Sequence, residues 1–430
     1  MPLGHAKRLS AALGLLVVLH PLFGPGAVTE AAASDLRGHG GPVSALAVAG
    51  DVVLSGSFDT RAIVWDDEAG VARLVLRFHD GSVTATALLP DGAYATGGQD
   101  GRVALWKTDA REPYLTTAEH QGPISSFSLS PDGATLAAAS WDGHIQLIDL
   151  ASGDVRLIDA HQGMVTGIAH LPDGRLVSVG SDLRLISWRD GRRDGGTGLP
   201  ASPNAVVAAE SHLAVIFADG TLRLISPDVE GEEIVLTERL LSERPLIALA
   251  AGHNTLAAAA VSGEVWLLDA TDLTTRHAIL PGQGAIWSLA VTETAILTGG
   301  ADGLIRRWDR MTGEPRGTGD APQEIAFDDG SRGAEVWRSC ALCHALTPDD
   351  GNRAGPTMHG IFGRRIGTAE GYDFSQALRE MDIVWTPQKV ADLFKYGPEA
   401  YTPGSRMPEQ RIPAEDDRQA LVEFLLRMTE

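Results

Sequence analysis

The chain has two cysteines in 430 residues, and they lie three positions apart with a histidine directly behind them: Cys340-Ala341-Leu342-Cys343-His344. C-x-x-C-H is the spacing that attaches c-type haem. On one helical turn the two thiols lie on nearby faces, where each can form a thioether to a vinyl group of the porphyrin. The next side chain then points an imidazole nitrogen at the iron. With no third cysteine, a disulfide scaffold and a four-cysteine zinc site are excluded. A redox dithiol needs a thioredoxin-like βαβ setting, and none is visible in the flanking sequence.

Further motifs follow in order: Gly355-Pro356-Thr357-Met358-His359-Gly360-Ile361-Phe362-Gly363-Arg364-Arg365, then Gly371-Tyr372, Trp385, and Tyr401-Thr402-Pro403-Gly404-Ser405-Arg406-Met407-Pro408. This set resembles the class I cytochrome c family, in its mitochondrial and bacterial c2-like branch, over roughly residues 328–429. The resemblance implies an all-α domain with one covalent haem c. It makes His344 the proximal ligand and gives its second ring nitrogen the Pro356 carbonyl as acceptor, a contact that would fix the ring. Met407, Met358, Met381 and His359 are the candidates for the sixth ligand. Met407 sits in the loop matching the family's methionine ligand, 63 residues past His344, and His359 lies in a turn where the family uses it structurally. Two occupied axial positions leave no site for dioxygen, and a thioether ligand raises the potential, so a His344/Met407 pair carries electrons. Arg364 and Trp385 match residues that hold a buried propionate, with Tyr372 beside them. The sequence departs from the mitochondrial pattern where Phe374 and Phe394 replace tyrosines near the haem. Lys389 and Lys395 are the only lysines after residue 107, so the family's lysine-rich docking face is sparse.

These residues need a first helix running into the haem motif, capped by Ser331 and presenting Gly333, Val336 and Trp337. They also need a last helix over about 415–428 with Leu421, Phe424 and Leu425 as its apolar stripe.

Residues 34–320 repeat with a period near 40. Leu54-Ser55-Gly56-Ser57-Phe58-Asp59 runs on to Val64-Trp65-Asp66, and seven such units end at Thr298-Gly299-Gly300-Ala301-Asp302-Gly303 and Arg307-Trp308-Asp309. Short β-rich runs separated by turns such as Pro90-Asp91-Gly92 at this period resemble a seven-bladed WD-repeat β-propeller. His39, His79, His120 and His161 open the first four units, and Asp59, Asp100, Asp142 and Asp182 occupy their tight turns. The resemblance places each pair in a structural hydrogen-bond relay. Units five to seven lack the histidine, and Ser262 replaces the aspartate in unit six. The segments 34–37 and 313–316 both offer a strand to close the ring.

Residues 1–33 read as a secretory signal, with Lys7 and Arg8, the apolar run Ala11 to Leu19 and the small residues Ala31-Ala32-Ala33. The run is too short to anchor the chain in a bilayer. The domains are therefore a signal peptide at 1–33, the propeller at 34–320 and a cytochrome c domain at 321–430. A formal net charge of −21 argues against nucleic acid as a partner. The expected function is an exported, periplasmic electron carrier, more a carrier than an enzyme, whose propeller docks a redox partner protein. The alternatives are a periplasmic redox enzyme with a substrate or cofactor site in the propeller, and a haem-based redox sensor or assembly protein.

Overall fold

The computed structural model describes residues 35–429 apart from 118–119, 210, 229–234, 317–328, 338–339, 342–343, 349–354, 371, 373, 406 and 408–410. The signal segment, most of the interdomain linker, Cys343, Gly371, Arg406 and Pro408 thus lie outside the described residues. No described helix is long and apolar enough to cross a membrane.

Among the described residues, seven four-stranded antiparallel sheets follow one another, each a meander in chain order. The first comprises β1 (Val43–Ala49), β2 (Val52–Ser57), β3 (Arg61–Asp66) and β4 (Val71–Arg77). The others cover 83–117, 124–159, 165–198, 203–240, 246–279 and 286–316. Central strands such as β2 and β3 are buried on both faces, because each blade packs against its two neighbours and a four-stranded sheet alone cannot bury both sides.

In five of the seven blades a side chain near the start of the inner strand ties one blade to the next. Ser44 Oγ donates to Val83 O at 2.6 Å, Thr84 Oγ1 to Ile124 O at 2.6 Å, Thr166 Oγ1 to Pro203 O at 2.9 Å and Asn204 Nδ2 to Leu246 O at 2.7 Å. Ser288 Oγ donates to Val43 O at 2.8 Å and closes the circle from blade seven to blade one. The outer edge of blade seven is a composite of both segments that could have supplied it. Leu36 exchanges backbone hydrogen bonds with Ile305 at 3.0 and 3.2 Å, while Pro315–Arg316 pairs with Arg307 and Trp308 lower on the same strand.

The histidine–aspartate pairs form within their blades. In blade one, Trp65 Nε1 donates to Ser55 Oγ at 2.8 Å, Ser55 Oγ lies 2.7 Å from His39 Nε2, and His39 Nδ1 lies 3.0 Å from Asp59. A carboxylate only accepts, so Nδ1 carries the proton and the chain runs tryptophan to serine to histidine to aspartate. Blades two and four repeat it through Thr96 and Ser178. Although burial pushes the Asp100 carboxyl up, His79, the Asp80 N–H and Arg102 together hold it well below the usual carboxylate range.

Blade three has the His120–Asp142 pair at 3.0 Å, but Ala138 and Ile148 replace the hydroxyl and the tryptophan. There His120 Nε2 and Gln146 Nε2 are buried without a hydrogen-bond partner. In blade seven Gln283 takes the histidine's part, accepting from Thr298 Oγ1 at 2.6 Å and donating to Asp302 at 3.1 Å. The turn glycine also has a steric reason. Gly101 has φ 75°, and a Cβ there would lie 2.5 Å from His120 O of the next blade.

Residues 329–429 carry five helical segments among the described residues: α1 (Arg332–Trp337), α2 (Gln376–Glu380), α3 (Pro387–Tyr396), α4 (Pro398–Tyr401) and α5 (Glu415–Met428). Ser331 Oγ accepts from the Ala334 N–H at 3.2 Å and caps α1. Helix α1 crosses α5 at Gly333, where a Cβ would lie 2.2 Å from Ala420 O. Trp337 packs on Phe424 with ring centroids 6.2 Å apart, and Leu421, Phe424 and Leu425 are buried beside it. Residues 33–430 form one compact unit.

Candidate functional site

After α1 the backbone keeps helical bonding. The Ala341 N–H donates to Trp337 O at 2.9 Å and the His344 N–H to Cys340 O at 2.9 Å. This turn delivers the buried Cys340 and the half-buried His344 to one cavity. Cys340, His344, Pro356, Arg364, Tyr372, Trp385 and Met407 all line this space.

His344 Nδ1 lies 2.8 Å from the Pro356 carbonyl. A carbonyl only accepts, so Nδ1 is the protonated nitrogen and Nε2 carries the ring's lone pair. The imidazole lies against Gly355, where any Cβ would come within 2.2 Å of Cε1. The glycine before Pro356 is therefore a requirement of the histidine's position. Met407 reaches the cavity from the loop after α4, its N–H bonded to Ser405 Oγ at 3.1 Å. Met358 also lines the cavity, whereas Met381 and His359 do not.

Arg364 is half-buried. Its guanidinium donates to the His359 carbonyl at 2.9 Å and the Thr357 carbonyl at 2.6 Å, and burial pushes its pKa down from the usual arginine value. The Trp385 N–H donates to Arg364 O at 3.0 Å, so the two residues are held on paired segments. Phe374 and Phe394 line the wall and place no hydroxyl there. Tyr372 sits 4.7 Å from Phe374, ring to ring.

The wall also contains residues of blade one that the sequence did not assign to this site: Phe58, Asp59, Thr60, Arg61 and Arg77. No local signal marks them. Arg61 follows the turn at a position where Arg102, His144 and Arg184 stand in the next three blades, and only the tertiary fold distinguishes it.

Seven meander sheets closed in a circle define a β-propeller, and the family model described as "WD domain, G-beta repeat" matches residues 32–66, 70–107, 111–149 and 153–189. These are the four units that carry the histidine–aspartate pair. Through about a hundred further residues the chain belongs to the cytochrome c family. It is 37% identical over 100 residues to "Cytochrome c" of Arabidopsis thaliana, a match covering 23% of this chain and 87% of that protein. It is 36% identical over 104 residues to "Cytochrome c" of Cochliobolus lunatus, covering 24% and 94%. Over 82 residues it is 35% identical to "Cytochrome c2" of Blastochloris viridis, covering 19% and 64%.

Proposed function

We propose that the chain is an exported electron carrier: an all-α class I cytochrome c domain that carries one haem c, joined to a propeller that docks a redox partner protein. The observation that carries this is the convergence of Cys340, His344 and Met407 on one largely apolar cavity. The donor set fits the group, since it combines a thiol on a helical turn, an imidazole with Nδ1 committed to a carbonyl, and a thioether from a separate loop.

In this assignment Cys340 and Cys343 would attach the haem through thioethers, and His344 and Met407 would ligate its iron. Haem so ligated supplies one-electron transfer between ferric and ferrous iron. The Pro356 carbonyl orients His344 and raises its basicity. The packing of Trp337, Leu421 and Leu425 around the cavity excludes water, which disfavours the extra charge of ferric iron. Arg364, Trp385 and Tyr372 supply the polar contacts of the cofactor's environment. In this reading the propeller supplies the surface that docks the partner protein, and the signal-like segment 1–33 supports an exported, periplasmic location.

The test is the cofactor content of the intact protein, by elemental analysis and visible spectra before and after reduction. One iron per chain with a low-spin c-type spectrum supports the carrier. A second metal or an additional chromophore contradicts it and points to a redox enzyme. The absence of iron removes the haem assignment altogether.

A further inference from the structure

Blade one and the C-terminal domain build the cavity wall together. Arg61 and Arg77 are directly opposite each other across β3 and β4, a placement of like charges that costs a sheet stability unless negative charge lies beside it. Both guanidinium groups reach one ring of the C-terminal domain. Their Cζ atoms lie 5.4 and 5.2 Å from the Tyr372 ring centroid, and Arg61 Nη2 donates to Tyr372 Oη at 3.0 Å. Arg61 is 4% exposed, so its charge is taken almost wholly out of water.

The nearest acid in the wall is already committed. Asp59 accepts from His39 Nδ1 at 3.0 Å and from the N–H groups of Gly40 at 2.8 Å and Arg61 at 3.0 Å. Arg61, Arg77, Arg364 and Arg365 line the described wall, and Arg365 also reaches Asp382 at 3.9 Å, in a chain whose formal net charge is −21. The otherwise apolar cavity thus has an arginine-lined edge, whose guanidinium groups suit a ligand with carboxylates there.

We propose that Arg61 and Arg77 of the propeller are partners for the carboxylates of the bound haem, so that the two domains form one cofactor site. The inference rests on the haem assignment made above. Bidentate guanidinium groups suit carboxylates, and Phe374, packed against Tyr372, brings no donor to that edge. Positive charge held in a partly desolvated wall also disfavours ferric iron, so blade one raises the reduction potential of a group bound in the other domain.

The experiment is an equilibrium redox titration of the full-length haem-loaded protein, followed by visible spectroscopy. R77Q lowers the midpoint, and R61Q/R77Q shifts the ferric-to-ferrous ratio at fixed potential by about tenfold, or about 59 mV for a one-electron couple. R77K, which keeps the charge, restores most of the shift. R184Q, on the exposed surface of blade four, leaves the midpoint unchanged. A covalent low-spin spectrum with an unaltered midpoint in R77Q and R61Q/R77Q overturns the proposal and leaves the haem assignment standing. Wild-type protein without haem overturns both. If R61Q/R77Q does not fold, R77Q against R77K decides the matter.

Discussion

Blade three lacks one hydroxyl, and restoring it should stabilise the propeller. In blades one, two and four a serine or threonine oxygen lies 2.7–2.9 Å from the histidine Nε2. In blade three the same position is Ala138, whose cross-strand partner is Gln146. Two nitrogens of that blade, His120 Nε2 and Gln146 Nε2, are buried and have no hydrogen-bond partner. An orphaned buried polar group costs about 1–3 kcal/mol, and a hydrogen bond made returns about 1 kcal/mol net. Ala138→Ser adds one atom, which can donate to His120 Nε2 and accept from Gln146. We expect a gain of about 1 kcal/mol, read by calorimetry as a rise of about 2 °C in the propeller transition. Ser55→Ala performs the reverse change in blade one, leaving His39 Nε2 and Trp65 Nε1 without that oxygen, and should lower the transition by more than Ala138→Ser raises it. An unchanged or lower transition in Ala138→Ser would refute the idea that the missing hydroxyl leaves blade three unsatisfied.

Two other outcomes follow from the packing and the charges. Gly333→Ala forces α1 and α5 apart, because the new Cβ would meet Ala420 O at 2.2 Å and Phe424 Cβ at 2.6 Å. It should cost about 1–3 kcal/mol, seen as earlier thermal loss of the Trp337 environment with the propeller transition unmoved; an unmoved C-terminal transition would contradict the close crossing. On acidification, stability should fall in two stages. Burial holds His161 and His170 below the usual histidine value, against the hydrogen bonds they make to Asp182 and Ser128. The unfolded chain therefore binds the extra protons below about pH 6.5, and a mild decline begins there. The Thr271 hydroxyl and N–H and Arg276 hold Asp269 down to about 2, and Ser331 and Arg427 do the same for Asp329 at about 2. Stability from such carboxylates is complete above about pH 4 and is lost as pH falls toward 2. Thermal midpoints recorded from pH 8 to 3 check both stages, and a midpoint that rises between pH 7 and 5 would contradict the buried neutral histidines.

Much of the architecture was legible because its signals are local. The turn aspartates, the Asp-Gly turns or the recurring tryptophan mark most blades within a dozen residues, and the period then dictates seven. Closure of the ring was not legible. Both 34–37 and 313–316 read as candidate closing strands with nothing to choose between them, and the edge uses a short stretch of each, at Leu36 and at Pro315–Arg316. Gln283 escaped notice because an amide filling a histidine's part depends on where Thr298 and Asp302 lie in space. In the cavity, the helical turn at Cys340 and His344 is a short-range feature, whereas the arrival of Met407 depends on chain folding that only the resemblance anticipated. The arginines of blade one joined the wall with no warning from the sequence, since Arg61 occupies a position that is polar in most of the repeats.

In the proposed assignment His344 and Met407 would together ligate the iron and leave it no open position, as an electron carrier requires. Adding carbon monoxide to the reduced protein tests this most directly. The wild-type spectrum should not change, whereas Met407→Ala should bind the gas and shift its absorption. Rapid carbon monoxide binding by the wild type, or a Met407→Ala variant that stays six-coordinate with an unchanged spectrum, would contradict the claim.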